Sequence, residues 1–177
     1  MSKSVFGIAT TFGQAERIVE ELQAQGFAAS EISVLMPDTG GTHDFGHIKA
    51  TKAPEGATTG ATAGGATGGV IGLLAGIGVL AIPGVGPFIA AGPIMAALSG
   101  AAVGAATGGV VGGLIGLGIP EIEAKRYEEK LKKGNYLIAV HTDESEDVDR
   151  AKQIFKAARV EDVTTVSEAS APKSLNK

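Results

Sequence analysis

The chain has no cysteine and no tryptophan, and aromatic residues make up only 5% of its 177 positions. Without cysteine there is no disulfide framework and no thiolate metal site. A basic surplus is also missing: the formal net charge is −4, so the phosphate backbone of nucleic acid is not an expected partner. Met1–Phe6 shows no apolar run ahead of a cleavage site, which predicts no secretory signal and a cytoplasmic start. No GxxxxGK[ST] loop is present, and the glycine runs do not follow a strand as a dinucleotide fingerprint requires. The largest gap is in charge. Gly56–Pro120, 65 consecutive residues, contains no Asp, Glu, Lys, Arg or His.

What fills that gap is patterned glycine. One row is Gly60, Gly64, Gly68, Gly72 and Gly76; a second is Gly100, Gly104, Gly108, Gly112 and Gly116. Aligned at the 40-residue offset, Gly60–Gly76 and Gly100–Gly116 are identical at 11 of 17 positions, which marks an internal duplication. Between them lies a Pro/Gly-rich tip holding Pro83, Gly84, Gly86, Pro87, Gly92 and Pro93. Residues at i and i+4 share one face of a helix. Glycine in a helix interior costs about 1 kcal/mol relative to alanine, so ten row glycines cost roughly 10 kcal/mol that close backbone packing must offset. With a turn near Phe88 the rows register antiparallel, Gly60 against Gly116 through to Gly76 against Gly100. The pattern predicts an antiparallel glycine-zipper α-helical hairpin over 56–120.

Each leg exceeds the roughly 20 apolar residues that cross a bilayer. Lys49 and Lys52 before the segment, and Lys125 and Arg126 after it, place both ends on the cytoplasmic side of an inner membrane if it inserts. Non-helical backbone at the uncharged tip needs protein partners for its amides, which points to a homo-oligomer. A soluble cytoplasmic hairpin buried against copies of itself, or a flexible Gly-rich arm, satisfies the composition too.

The flanks read as a conventional fold. Val5–Ala9 is β-prone; Thr11 and Gln14 form a capping-box pattern ahead of apolar residues at helical spacing through Leu22; Gly26 is a left-handed stop; Ile32–Met36 is a second strand. After Pro120, Glu121 and Glu123 open a helix that Lys130, Lys132 and Lys133 close in favour of its dipole. Tyr136–Val140 reads as a strand buried on both faces. A helix carrying Val148, Ala151, Phe155 and Ala158 and a strand at Val163–Val166 follow. The fold class expected is α+β: a ferredoxin-like (βαβ–αβαβ) head from residues 1–50 and 121–168, its helices on one face of a four-stranded antiparallel sheet, with the hairpin inserted at 56–120 and a flexible tail at 169–177.

Candidate chemistry is sparse. His43, Asp44 and His47 offer three possible metal ligands on a polar connector, where a solvated loop is the simpler expectation, so no metal and no cofactor are predicted. His141 closes a strand beside Asp143 and Glu144, a pattern open to acid/base work but more simply a strand-end histidine before an acidic first helical turn. No catalytic residue is assigned.

Three blocks carry a family resemblance: Thr51-Lys52-Ala53-Pro54-Glu55-Gly56, the tip Ile82–Pro93, and Gly118-Ile119-Pro120-Glu121 running on to Glu123, Ala124 and Tyr127. Together they resemble the bacterial general stress proteins with a heat-induced (YflT-type) domain carrying a glycine-zipper insertion. The resemblance implies a stress-related, non-enzymatic role and brings no catalytic residues. The expected function is self-assembly, membrane association, or both, through the hairpin, with the chain itself and membrane lipid as partners. A soluble homo-oligomeric module that binds a small ligand and regulates is the alternative.

Overall fold

The computed structural model describes residues 2–38, 78–82, 86–95, 98 and 109–167. The connector with His43, Asp44 and His47, the glycine row 60–76, Gly100, Gly104 and Gly108 of the second row, Pro83 and Gly84 of the tip, and the tail 169–177 lie outside the described residues. In chain order the elements are β1 (Lys3–Ala9), α1 (Phe12–Ala24), β2 (Ile32–Pro37), β3 (Gly78–Ile82), β4 (Gly86–Ala91), α2 (Gly109–Gly116), α3 (Glu121–Lys132), β5 (Tyr136–Thr142), α4 (Ser145–Ala157) and β6 (Glu161–Ser167). The strands form one six-stranded sheet in the order β3-β4-β2-β5-β1-β6, antiparallel at every pairing. The architecture is mixed α+β.

Local sequence accounts for the helix limits. Gln14 N–H donates to Thr11 Oγ1 at 3.2 Å and starts α1, but the Gln14 side chain reaches back to the amide of Thr10 rather than of Thr11. At its other end Gly26 takes φ 95°, with Gly26 N–H donating to Gln23 O and Phe27 N–H to Leu22 O, the paired bonds of a Schellman stop. Gly118 and Gly134 end α2 and α3 in the same way. α4 ends on the same pair of bonds with Arg159, φ 56°, in the glycine position.

Both faces of the sheet are buried. One face, bearing Val5, Val34, Ile138 and Val140, packs under α1 through Ile18, Val19 and Leu22 and under α4 through Ala151 and Phe155. The other, bearing Phe6, Ile8, Leu35, Leu137 and Ala139, is covered by Val110 and Leu114 of α2 and by Ala124, Tyr127 and Leu131 of α3. α1 and α4 thus share one face, as expected for the helices of the two halves, while the helix after Pro120, expected only as an extra connector, covers the second face. The continuous apolar run in β5 follows from this double burial. Tyr127 fixes α3 to the sheet edge. Its hydroxyl donates to Asp162 O at 2.6 Å, and burial pushes its pKa up to about 12. Arg126 and Lys130 pair with Asp162 beside it, at 3.3 and 3.2 Å.

A correction concerns the charge-free segment. Its described middle is not a bend between two helices but two strands, β3 and β4, added to the free edge of β2. Valine, isoleucine and phenylalanine favour strand here, Pro87 interrupts a helix yet is tolerated near a strand start, and the edge of β2 supplies partners for the β4 backbone. Where β4 leaves the sheet, Gly92 takes φ 82°, and a Cβ there would stand 2.0 Å from the carbonyl oxygen of Ile32. Only glycine passes. Gly92→Ala should cost at least about 2 kcal/mol in urea unfolding, from clash and left-handed strain together; a variant as stable as wild type would contradict this crossing.

Glu16 is 9% exposed, and its Oε1 has no hydrogen-bond partner. Burial, with Glu20 adding repulsion, raises its pKa above the ordinary 4.5. The folded state thus holds this proton more tightly than the unfolded chain, so stability from this group is present at acid pH and falls as pH rises through the raised value. Glu16→Gln should be more stable than wild type at about pH 7.5, with the gap closing towards about pH 4. Denaturation curves at the two pH values check this, and a gap that widens in acid would refute it.

Candidate functional site

Of the row glycines, only Gly112 and Gly116 fall within the described residues, both in α2. A Cβ built at either meets no atom within 4 Å, and neighbouring Ile115 is 43% exposed. Val110 and Leu114, on the opposite side, are fully buried. The helix therefore buries Val110, Gly113 and Leu114 and leaves Ile115 and Gly116 exposed. Their expected antiparallel partners, Gly60 and Gly64, are outside the described residues. Of the tip residues, Gly86 opens β4 at φ 105°, Pro87 follows it with its carbonyl accepting from Asp38 N–H at 3.0 Å, Gly92 makes the crossing, and Pro93 starts a helical turn at residues 93–95. Among the described residues no helix is long and apolar enough to cross a membrane, and no three metal-ligating side chains cluster.

His141 lies elsewhere than its sequence neighbours suggested. Asp143 takes the hydroxyl of Ser2 at 2.7 Å, and Glu144 places its amide on Thr142 Oγ1 at 3.1 Å. The imidazole instead bridges two strands: Nδ1 is 2.8 Å from Ser4 Oγ on β1, and Nε2 is 2.8 Å from Ser33 Oγ on β2. Phe6 meets the ring edge-on at 6.1 Å. Each ring nitrogen thus has a serine hydroxyl as hydrogen-bond partner, and a hydroxyl can take either role. Ser33 Oγ also accepts from the buried amide of Ile94 at 3.0 Å. Both serines are 0% exposed, which turns their hydroxyls away from any substrate in solution. The cluster ties β1, β5 and β2 to the start of the chain that leaves β4.

A concavity lies on the opposite face. α1 and α4 run antiparallel: Gln14 Nε2 donates to the carbonyls of Ala158 (2.8 Å) and Arg159 (3.2 Å), while Arg150 Nη1 donates to Gln25 O at 3.3 Å at the other end. Between them is an open groove of about 970 Å³. Its walls carry Arg17, Arg150 and Arg159, three of the four arginines in the chain, against one carboxylate, Glu21. Arg150 is committed, paired with Asp147 and stacked 5.2 Å from the Phe27 ring centroid. Arg17 uses only Nε, on Gly13 O at 3.3 Å. Among the described residues no carboxylate pairs with Arg17 or Arg159.

The groove was not read from the sequence, although a signal for it exists. Gln14, Arg17, Glu21 and Gln25 recur at helical spacing along one border of the apolar stripe of α1, and Arg150, Gln153 and Ala157 do so on α4. Attention to the apolar faces alone passes over such borders. No family model matches the chain, and neither a curated protein nor a solved structure does.

Ser33→Ala should cost about 1–3 kcal/mol, because it leaves the buried Ile94 amide without its acceptor and removes one partner of His141. Chemical unfolding measures this; a loss below about 0.5 kcal/mol would show that the bridge contributes little.

Proposed function

We propose that the chain is a non-enzymatic, stress-related protein in which a ferredoxin-like head carries the Gly-rich segment as its means of self-assembly, membrane association, or both. Its partners are then other copies of itself and membrane lipid, at the cytoplasmic side of the inner membrane. The order β2-β5-β1-β6, with α1 and α4 together on one face, supports the ferredoxin-like assignment for the head. The stress context rests on the resemblance in the Thr51–Gly56, tip and Gly118–Tyr127 blocks.

The observation that carries the assembly reading is the outward face of α2. Gly112 and Gly116 are set one turn apart, with open space where side chains would be and Ile115 exposed beside them. Nothing in the packing of α2 on the sheet calls for glycine at these positions. Each costs about 1 kcal/mol in a helix relative to alanine, and close approach of another helix offsets that cost. The membrane part of the proposal rests on residues 56–77 and 99–108, outside the described residues. A soluble homo-oligomer that binds a small ligand is the second reading, favoured by the arginine-lined groove.

Gly112→Leu separates packing within the head from packing between helices. Leucine meets open space on the head and has higher helix propensity, so thermal stability of the head should hold or rise, by up to about 1 kcal/mol. Assembly, read by size-exclusion chromatography with light scattering with and without detergent, and lipid binding, read by liposome flotation, should weaken. Unchanged assembly and flotation in Gly112→Leu and Gly116→Leu would remove the glycine face from the proposal.

A further inference from the structure

We propose that the groove between α1 and α4 binds a small phosphorylated molecule, its phosphate held by Arg17 and Arg159 and its uncharged part lying along Ala157 and Ala158. The charge distribution carries the inference. In a chain of net charge −4, three of four arginines line one groove against a single carboxylate, and no lysine among the described residues lines it. Arginine is the side chain suited to forked bonding of phosphate, whereas lysine serves general solvation equally well. A surface arranged only for solubility would intersperse opposite charges. Here two guanidinium groups line one groove without a carboxylate partner among the described residues.

The groove is also built. Gln14 occupies its amide on both sides, accepting from Thr10 N–H and donating to Ala158 O and Arg159 O, and so fixes the backbone of Arg159 against the start of α1. Arg17 lies one turn along the same face. Thr11 Oγ1 accepts from Gln14 N–H, leaving its own hydrogen for a further acceptor in the groove. The groove thus offers two guanidinium groups and a hydroxyl, a donor set that suits a tetrahedral phosphate; one guanidinium fork alone would satisfy a planar carboxylate.

Arg159 adds a second mark. The corresponding helix-end positions of α1, α2 and α3 are Gly26, Gly118 and Gly134, all left-handed. At the end of α4 the chain places a side chain in that conformation, at a cost of about 1 kcal/mol. The residue so placed is one of the two uncommitted arginines of the groove. The volume, about 970 Å³, is of the size that encloses a small ligand.

The test is isothermal titration of the full chain with inorganic phosphate, AMP and pyrophosphate, beside flotation with phosphatidylcholine vesicles with and without phosphatidic acid. The expected result is saturable AMP binding that weakens with salt and is competed by inorganic phosphate. Arg17→Gln and Arg159→Gly should each weaken it about tenfold or more, and Arg126→Gln, outside the groove, should leave it unchanged. Arg159→Gly guards against misfolding, because glycine accepts the left-handed backbone and the variant should melt no lower than wild type. The proposal is overturned by no saturable binding of any probe up to about 5 mM. It is equally overturned by affinities indifferent to Arg17→Gln and Arg159→Gly, by an equal loss in Arg126→Gln, or by binding to phosphatidic acid vesicles without binding of AMP.

Discussion

A sheet whose central strands are apolar on both sides has to be covered twice, and most of this architecture follows from that requirement. β2 and β5 carry few polar side chains: His141 bonds to Ser33 and to Ser4, and Thr142 bonds to Asp147 and Glu144. α1 and α4, the crossover helices between strands, cover one face as their chain positions oblige them to. The second face has no crossover helix available. It is covered by α3, which leads back from the charge-free segment, and by α2, which ends that segment. Burying Val110 and Leu114 of α2 contributes about 1.5–3 kcal/mol each, more than the cost of the two exposed glycines that α2 also carries.

This division gives the molecule two unlike outer surfaces. On the α2 side the outermost features are glycine and isoleucine, which favour contact with another apolar surface. On the α1/α4 side the groove between the helices is lined by arginine and glutamine, which favour a hydrated anion. The proposed assembly and the proposed ligand therefore use opposite sides of one sheet, and neither obstructs the other. Between them the sheet is a rigid spacer, with the Ser4–His141–Ser33 bridge joining three of its strands to the amide of Ile94.

How much was legible in the sequence depended on how local the cause was. Thr11, Gly26, Pro120 and Gly134 mark helix ends because capping is settled within a few residues, and each lies within two residues of an observed limit. The apolar run of β5 announced double burial, yet which helix supplied the second cover was a long-range matter and was missed. The strands β3 and β4 were hidden by their setting: a four-residue glycine period on either side invited a helical continuation, while the free edge of β2 that recruits them is invisible in a linear reading. The groove escaped for a similar reason. Its arginines come from positions 17, 150 and 159, and only the antiparallel approach of α1 and α4 brings them together.

The pairing of β4 with β2 changes how the chain should be divided. A cut at the abrupt change in composition, where charge vanishes at Gly56 and returns at Glu121, would look like the removal of a self-contained module. It would instead strip two strands from the sheet, expose Phe6, Leu35 and Leu137 where α2 had covered them, and leave β2 as a bare apolar edge of the kind that recruits foreign strands. Composition and folding unit do not share a boundary here. Any truncation meant to isolate the sheet and its covering helices has to keep residues 78–95 and 109–120.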